Sequence, residues 1–226
     1  MSENIPKLRF SEFSGEWEMK KLGEIYSFKV TNSYSRENLN YDNGEVKNIH
    51  YGDIHTKFNT LFNIQNEYVP YINPEISIQK INEDYYCKEG DLVIADASED
   101  YSDIGKSIEL INLNNEKVLA GLHTLLARPN LDIMALGFGG YYMKVESVRA
   151  QIMKIAQGSK VLSISVGRMF DLQFNIPSKP EQTKIATFLT LVDEKLTALK
   201  QKKTLLEQYK KGVMQKIFSQ ELRFKD

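Results

Sequence analysis

The sequence is poor in cysteine, tryptophan and histidine, and it has no long hydrophobic run. Its 226 residues include one Cys, one Trp and three His. A single cysteine, Cys87, excludes an intrachain disulfide and a cysteine-based zinc site, and we expect it to be a buried apolar residue. No segment approaches the roughly 18 apolar residues that cross a membrane, and the opening MSENIPKLRF is not a signal peptide. We therefore expect a cytoplasmic protein without a membrane segment.

Motifs of catalysis and of cofactor binding are lacking as well. There is no Walker A sequence, no His-Glu-x-x-His and no Asn-Pro-Pro-aromatic motif of the adenine methyltransferases. The stretch GFGG at Gly137–Gly140 lacks the spacing of a dinucleotide-binding loop and is interpreted as a helix start. His50 and His55 bracket a Gly-Asp turn and are interpreted as strand-end or groove residues rather than a metal pair. The sequence thus predicts a protein that is not an enzyme and that holds no metal or cofactor of its own.

The composition indicates a globular core together with an uneven distribution of charge. Hydrophobic residues make up 42% and charged residues 26% of the chain, enough for one domain, alone or with an extended element. From Ser178 onward there are 11 Lys or Arg and 6 Asp or Glu, a net charge of +5, whereas the residues before it carry 18 basic and 24 acidic side chains, a net charge of −6. Because the larger part is acidic, any surface for nucleic acid must be local.

Residues 1–177 are predicted to form an α+β domain with a mixed sheet. Short strand-like runs separated by polar turns occupy Val46–Ile54, Gly90–Ala97 and Lys106–Asn112, and another follows in VLAGLHTLLARP. Apolar residues then recur at helical spacing from Phe138 to Ile155, before Gly158 ends the helix.

A long helix is predicted over residues 178–219. Ser178 and Glu181 form a capping box, and Pro180 lies in the first turn. From Pro180 to Ile217 the helix would be roughly 55 Å long. Its apolar residues alternate at spacings of three and four, with Lys203 and Lys210 at two further positions: Ile185, Leu189, Val192, Leu196, Leu199, Leu206, Val213 and Ile217. So narrow a stripe favours a coiled coil, and the alternative is a long surface helix on its own domain.

The charges along this helix favour antiparallel pairing with a second copy. Glu181–Ala198 holds three acidic and two basic residues, whereas Leu199–Ile217 holds six Lys and one Glu. A parallel pair would place the two basic halves side by side, and an antiparallel pair places each beside a weakly acidic half.

Several segments together resemble the DNA-specificity subunit of type I restriction–modification systems. They are EWEMKKLGEI, YGDI, KEGDLVIADASEDYSDIGKS, GSKVLSIS, IPSKPEQTKIATFLTLVDEKL and LLEQYKKGVMQKIFS. The resemblance covers nearly the whole chain, and its most specific part is the helix start PEQTKIATFL. Such a subunit has two halves, each a target recognition domain followed by a helix, and this chain is similar to one half. The tail, residues 220–226, contains LRF as the opening PKLRF does, which resembles the start of a second repeat.

The resemblance implies a function and a set of partners. The domain would read one half of a split site in double-stranded DNA, and the helix would set the spacing and dock methyltransferase subunits. Those subunits would carry S-adenosylmethionine, and a restriction and translocase subunit would join the full complex. A coiled-coil scaffold or inhibitor that binds methyltransferase subunits without reading DNA is the alternative, and the acidic domain favours it.

The candidate DNA-binding residues lie in three segments, and each has a structural alternative. Asp96, Glu99, Asp100 and Asp103 could form a solvated loop, a base-reading loop or, with Lys106, a nuclease site. GSK after the helix could hold a phosphate or end the helix, and Tyr51 could stack on DNA or pack in the domain. The predicted contacts are Tyr51, Asp53, Ser98, Tyr101, Ser102, Lys106, Ser159, Lys160 and Arg168.

Overall fold

The structure is a computed structural model that describes residues 6–224, and it has the predicted α+β architecture. By the density of its contacts the chain divides into two units, Met1–Ala186 and Thr187–Asp226. Among the described residues, no helix is both long and apolar enough to cross a membrane.

The described residues form thirteen strands and six α-helices. The strands are β1 (Glu18–Lys21), β2 (Tyr26–Lys29), β3 (Leu39–Asn40), β4 (Lys47–Ile49), β5 (Leu61–Asn63), β6 (Tyr71–Ile72), β7 (Leu92–Ala95), β8 (Ala97–Ser98), β9 (Ser107–Asn112), β10 (Val118–Ala120), β11 (Thr124–Pro129), β12 (Leu162–Ser163) and β13 (Gln173–Ile176). The helices are α1 (Leu22–Ile25), α2 (Tyr51–Thr56), α3 (Phe138–Tyr142), α4 (Glu146–Ile155), α5 (Val166–Met169) and α6 (Lys179–Phe218).

A five-stranded mixed sheet forms the centre of the first unit, in the order β2-β11-β7-β9-β5. Adjacent strands of this sheet are antiparallel, except that β5 and β9 pair in parallel. In β7, Leu92 and Ile94 join one hydrophobic cluster, whereas Val93 and Ala95 join another. This alternation places a core on each face of the sheet, because successive side chains of a strand point to opposite sides. That is why the segment reads as a continuous apolar run.

The remaining strands form smaller sheets. One has four strands in the order β10-β4-β6-β3, and two are pairs, β1 with β13 and β12 with β8. The pair β12–β8 places Leu162 opposite Ser98 and Ser163 opposite Ala97. It therefore joins the segment after α4 to the loop after β7.

Three sequence predictions are corrected in detail. Val46–Ile54 is not one strand: β4 ends at Ile49 and α2 begins at Tyr51, because the imidazole of His50 accepts a hydrogen bond from the Gly52 amide at 3.1 Å and caps the helix. The run VLAGLHTLLARP forms two strands, β10 and β11, around His123, whose φ is 54°. The helix predicted from Phe138 to Ile155 is two helices, α3 and α4.

The GFGG stretch starts helix α3, as predicted. Gly137 precedes the helix with a φ of 83°, and the buried carboxylate of Glu109 accepts hydrogen bonds from the Gly137 and Gly140 amides at 2.6 and 2.7 Å. A side chain at Gly139 would collide with the hydroxyl of Tyr26. Burial outweighs the amide hydrogen bonds and raises the pKa of Glu109 to about 7.

Two adjacent buried side chains fix the start of α6. Glu181 is 1% exposed and accepts two hydrogen bonds from the guanidinium of Arg9, at 2.8 and 2.6 Å, and one from the Trp17 indole at 3.3 Å. The carboxylate of Glu181 therefore binds Arg9 and Trp17 of the N-terminal segment, whereas the sequence predicted a capping box with Ser178. A bidentate arginine stabilises a buried carboxylate strongly.

Gln182 makes the second set of contacts and is 0% exposed. Its side chain accepts from the Ala135 amide at 2.9 Å and donates to the carbonyls of Ile133 and Pro177 at 3.0 and 2.9 Å. Ala186 then joins the main core. The first two turns of the helix are therefore part of the globular unit.

Candidate nucleic-acid interface

The short helix α2 is held at both ends by hydrogen bonds. His50 caps its start, and at its end Lys106 donates to the His55 carbonyl at 2.6 Å. The Nε2 atom of His55 lies 3.0 Å from the Ala97 carbonyl. These contacts connect α2 to β8 and to the loop 98–106, so two of the three predicted segments lie together. Lys106 is engaged at a helix C-terminus, where a cation is favourable.

Asp53 is buried beneath two cations and does not face solvent. Its side chain is 0% exposed, and its Oδ1 atom lies 2.7 Å from Arg36 and 2.9 Å from Lys57, whose side chains are 44% and 50% exposed. Burial pushes the pKa of Asp53 upward, but the hydrogen bonds from both cations outweigh it and lower the pKa below its ordinary value. The predicted contact of Asp53 with DNA is therefore corrected: the carboxylate orients Arg36 and Lys57 at the surface instead.

Aromatic side chains surround these two cations. The rings of Tyr41 and Tyr68 stack with centroids 4.4 Å apart, and Tyr68 is 69% exposed. Lys57 donates to the Tyr41 hydroxyl at 3.1 Å. Partly buried Tyr51 meets the ring of His123 edge-on, with centroids 5.2 Å apart. An exposed tyrosine ring and partly exposed rings beside lysine and arginine suit both stacking and phosphate contacts.

His123 and Asp96 form a polar pair next to Tyr51. Their Nδ1 and Oδ1 atoms are 3.3 Å apart, and the histidine side chain is half exposed. Burial raises the pKa of Asp96, although His123 opposes the shift. His50, by contrast, is buried, and burial together with Arg36 lowers its pKa to about 4. The neutral ring of His50 therefore serves as a structural cap at neutral pH.

The loop 98–106 is anchored and presents Tyr101. Ser98 is buried and accepts from the Asp100 amide at 3.0 Å, whereas Tyr101 is 54% exposed. Arg149 on α4 donates to the Ser102 and Ile104 carbonyls at 3.0 and 2.6 Å. Within residues 6–224, no group of three or more His, Cys, Asp or Glu side chains could hold a metal ion.

The third predicted segment reaches the same region through the pair β12–β8. Ser159 and Lys160 are exposed in a loop closed by the bridge between Gln157 and Ser163. Arg168 donates to the Ile155 carbonyl at 2.9 Å, so it satisfies the C-terminal end of α4. Ser159 and Lys160 therefore remain candidates for phosphate contact, and Arg168 has a structural role.

Sequence reasoning missed five residues of this surface: Arg36, Tyr41, Lys57, Tyr68 and His123. They come from four separate segments, and only the spacing of Lys57 four residues after Asp53 offered a signal. We refer to these five residues together with Tyr51 as the α2 surface.

The predicted seam on α6 is largely exposed in the single chain. Val192, Leu196, Leu199 and Leu206 have 39%, 47%, 50% and 56% of their surface exposed. Leu189, Val213 and Ile217 are intermediate, and Ile185 packs against the main core. Outside the seam, Leu191, Leu205 and Tyr209 are 59%, 64% and 70% exposed. So many exposed apolar side chains on one helix are typical of a surface that is covered in an assembly.

The family of the chain follows from residues 14–208, which match the model of the type I restriction modification DNA specificity domain. The chain therefore belongs to that family, whose function is recognition of a DNA target. A comparison with curated proteins gives no match.

Solved structures with the same fold include specificity subunits. The S subunit of a type I restriction–modification system from M. genitalium has a TM-score of 0.56 at 16% identity, over 97% of this chain and 49% of that chain. The HsdS subunit from Thermoanaerobacter tengcongensis has a TM-score of 0.56 at 14% identity, over 97% and 48%. A chain from a structure describing assembly and conformational transition of the type I R-M system has a TM-score of 0.58 at 15% identity, over 96% and 47%. The chain thus spans about half the length of the solved chains it matches.

Proposed function

We propose that the chain is the DNA-recognition half-subunit of a type I restriction–modification complex, and that it reads one half of a split target. The observation that carries the proposal is the α2 surface, where a buried carboxylate fixes two half-exposed cations beside two stacked tyrosine rings, one of them exposed, in a domain of this family. Such an arrangement is prepared for an anionic, aromatic ligand before the ligand arrives.

Each group on this surface has a distinct chemical role. Arg36 and Lys57 contact phosphates and set the register of the domain on the duplex. Tyr51, His123 and exposed Tyr101 contact base edges or sugars, and Ser159 and Lys160 extend the phosphate contacts. An acidic domain of this kind binds DNA through a local surface, so its affinity depends on few cations and its salt dependence is shallow.

Two copies pair through α6 in an antiparallel arrangement. The exposed seam supplies the apolar contact, and the charge difference between the two halves of the helix disfavours the parallel register. A two-fold pair of domains reads a symmetric split site. The same helices dock methyltransferase subunits, which carry S-adenosylmethionine and modify adenine, and a restriction and translocase subunit joins them.

The experiment compares DNA retention with and without the methyltransferase subunits. The chain is purified with those subunits, bound to randomised duplexes, and the retained sequences and the methylated adenines are read. We expect the retained sequences to share a split symmetric motif. Removing one phosphate contact with Arg36→Ala should reduce the slope of log affinity against log salt concentration by about one. If the complex assembles but retains DNA without sequence preference, the alternative is favoured: a scaffold or inhibitor that does not read DNA. The acidic charge of the domain is the feature that supports this alternative.

A further inference from the structure

The tripeptide Leu-Arg-Phe occurs twice, at residues 8–10 and at residues 222–224. The first copy is docked: Arg9 holds the buried carboxylate of Glu181 with two hydrogen bonds, at 2.8 and 2.6 Å. Its guanidinium also donates to the carbonyls of Ser14 and Gly15. Phe10 lies beneath the ammonium of Lys184, 5.5 Å from its ring centroid. This segment therefore recognises a carboxylate at the start of α6.

The second copy is exposed in the single chain. After α6 the chain turns at Gln220, with a φ of 67°, and the Leu222 amide closes the helix end on the Lys216 carbonyl at 3.0 Å. Within the described residues, Arg223 donates a long hydrogen bond of 3.4 Å to the side chain of Gln220, and Phe224 is 87% exposed. In the first copy Arg9 and Phe10 contact Glu181 and Lys184, whereas the corresponding Arg223 and Phe224 face solvent after the last turn of α6.

Antiparallel pairing brings this exposed tripeptide to a matching site. Helix α6 runs from Lys179 to Phe218, and Glu181 lies in its first turn while Leu222 follows its last turn. In an antiparallel pair with full overlap, the end of one helix lies beside the start of the other. Such a pair would place residues 222–224 of one copy next to the helix start that carries Glu181 in the other.

We propose that residues 222–224 of one copy dock at Glu181 of a second copy, where Arg223 takes the place of Arg9. This exchange rests on the antiparallel self-pairing proposed above. Glu181 stays paired in both arrangements, which matters because a buried carboxylate without a partner is strongly destabilising. The exchange links the two recognition domains through their helix ends, in addition to the apolar seam.

A crosslinking experiment tests the contact directly. Cys87 is buried and free, so thiols introduced on the surface react without competition. Chains carrying Ser14→Cys and chains carrying Phe224→Cys are purified separately, mixed and oxidised. We expect a covalent heterodimer on a non-reducing gel, at least tenfold more abundant than in a mixture of Ser14→Cys with Thr197→Cys, an exposed mid-helix position.

Sedimentation of the same samples separates this proposal from the preceding one. A dimer without the selective crosslink overturns the exchange and leaves the self-pairing intact. A monomer at tens of micromolar overturns both.

A double-mutant cycle gives an independent measurement at concentrations where the dimer is complete. Arg9→Ala alone should lower the melting temperature little, because Arg223 pairs with Glu181. Arg9→Ala with Arg223→Ala should lose roughly 10 °C more than the sum of the two single variants. The exchange is also supported if both single variants fold and the double variant does not. Additive losses, equal to those of Arg9→Ala with the control Lys216→Ala, would overturn the exchange.

Discussion

The two units of the chain differ in what they do with their apolar and charged side chains. In the first unit the sheet has a core on each face, and Asp53, Glu109 and Glu181 are buried with hydrogen-bond donors. In the second unit, leucines of α6 remain half exposed. The first unit thus covers most of its apolar side chains itself, whereas the second leaves apolar side chains exposed. Most of the stability of a helix in a protein comes from packing of its apolar face against another surface, because helical propensity alone contributes little.

The largest expected effect comes from changing Leu189, Leu196 and Leu199 to Glu. These substitutions place charges in the seam, so the affinity of the self-pair should fall by roughly a hundredfold or more. Sedimentation at tens of micromolar should then show a monomer. The matched control places Glu at Thr197, Gln201 and Gln208, which lie away from the seam. A dimer that survives the seam substitutions would place the contact elsewhere.

A second prediction concerns the pH dependence of the first unit. The pKa of Glu109 is about 7 in the folded protein and 4.5 in its ordinary state, so the folded protein retains a proton that the unfolded chain loses. Between these values stability should fall as pH rises, by about 3 kcal/mol in total, and it should not recover above pH 7. The lowered pKa of His50 acts in the opposite direction, with stability gained as pH rises from about 4.

The check is the difference between the natural chain and Glu109→Gln in urea unfolding from pH 4.5 to 8. The variant has no titrating group at this position, so the fall attributed to Glu109 should be missing from its profile. Parallel profiles would show that the carboxylate titrates normally. Substitutions in the α6 seam should leave this difference unchanged.

A third prediction separates positioning from net charge on the α2 surface. Asp53→Asn removes a negative charge, so electrostatics alone would tighten DNA binding. If the carboxylate orients Arg36 and Lys57, the variant should instead bind target DNA about tenfold more weakly, because these two contacts are no longer held in place before binding. The affinity for DNA is measured on the chain assembled with methyltransferase subunits. Asp132→Asn, at an exposed position, is the control with the same change in charge. Equal tightening in both variants would refute the positioning role.

The smallest expected effect contrasts one glycine from each unit. At Gly212 an added methyl group meets open space within helix α6, so Gly212→Ala should stabilise the chain by about 1 kcal/mol. Gly158 has a φ of 130° and no room for a side chain beside the Val161 carbonyl, so the same substitution there should be destabilising. Denaturant midpoints measured on both variants give the signs, and a shared sign would contradict the contrast.

Features of the structure could be predicted from the sequence where the contacts that determine them join residues close together in the chain. Helix α6 was predicted from Pro180 to Ile217 and runs from Lys179 to Phe218, because its apolar period is contained in the helix itself. The burial of Asp53 depends on Arg36, which no periodicity connects to it. The partner of Glu181 is farther still, 172 residues away at Arg9. Residues at the surface of the candidate site likewise come from separate segments, so spacing alone did not identify them.

The attachment of α6 to the globular unit has a consequence for the inheritance of specificity. Among the described residues, the Gln182 side chain hydrogen-bonds to backbone groups, and Glu181 accepts hydrogen bonds from Arg9 and from the Trp17 indole. A different reading domain could therefore be grafted onto the same helix, provided that it keeps Arg9, Trp17 and the backbone path near Ile133. Side chains of the domain that contact neither this helix start nor the core beneath it would then be free to diverge toward a new target.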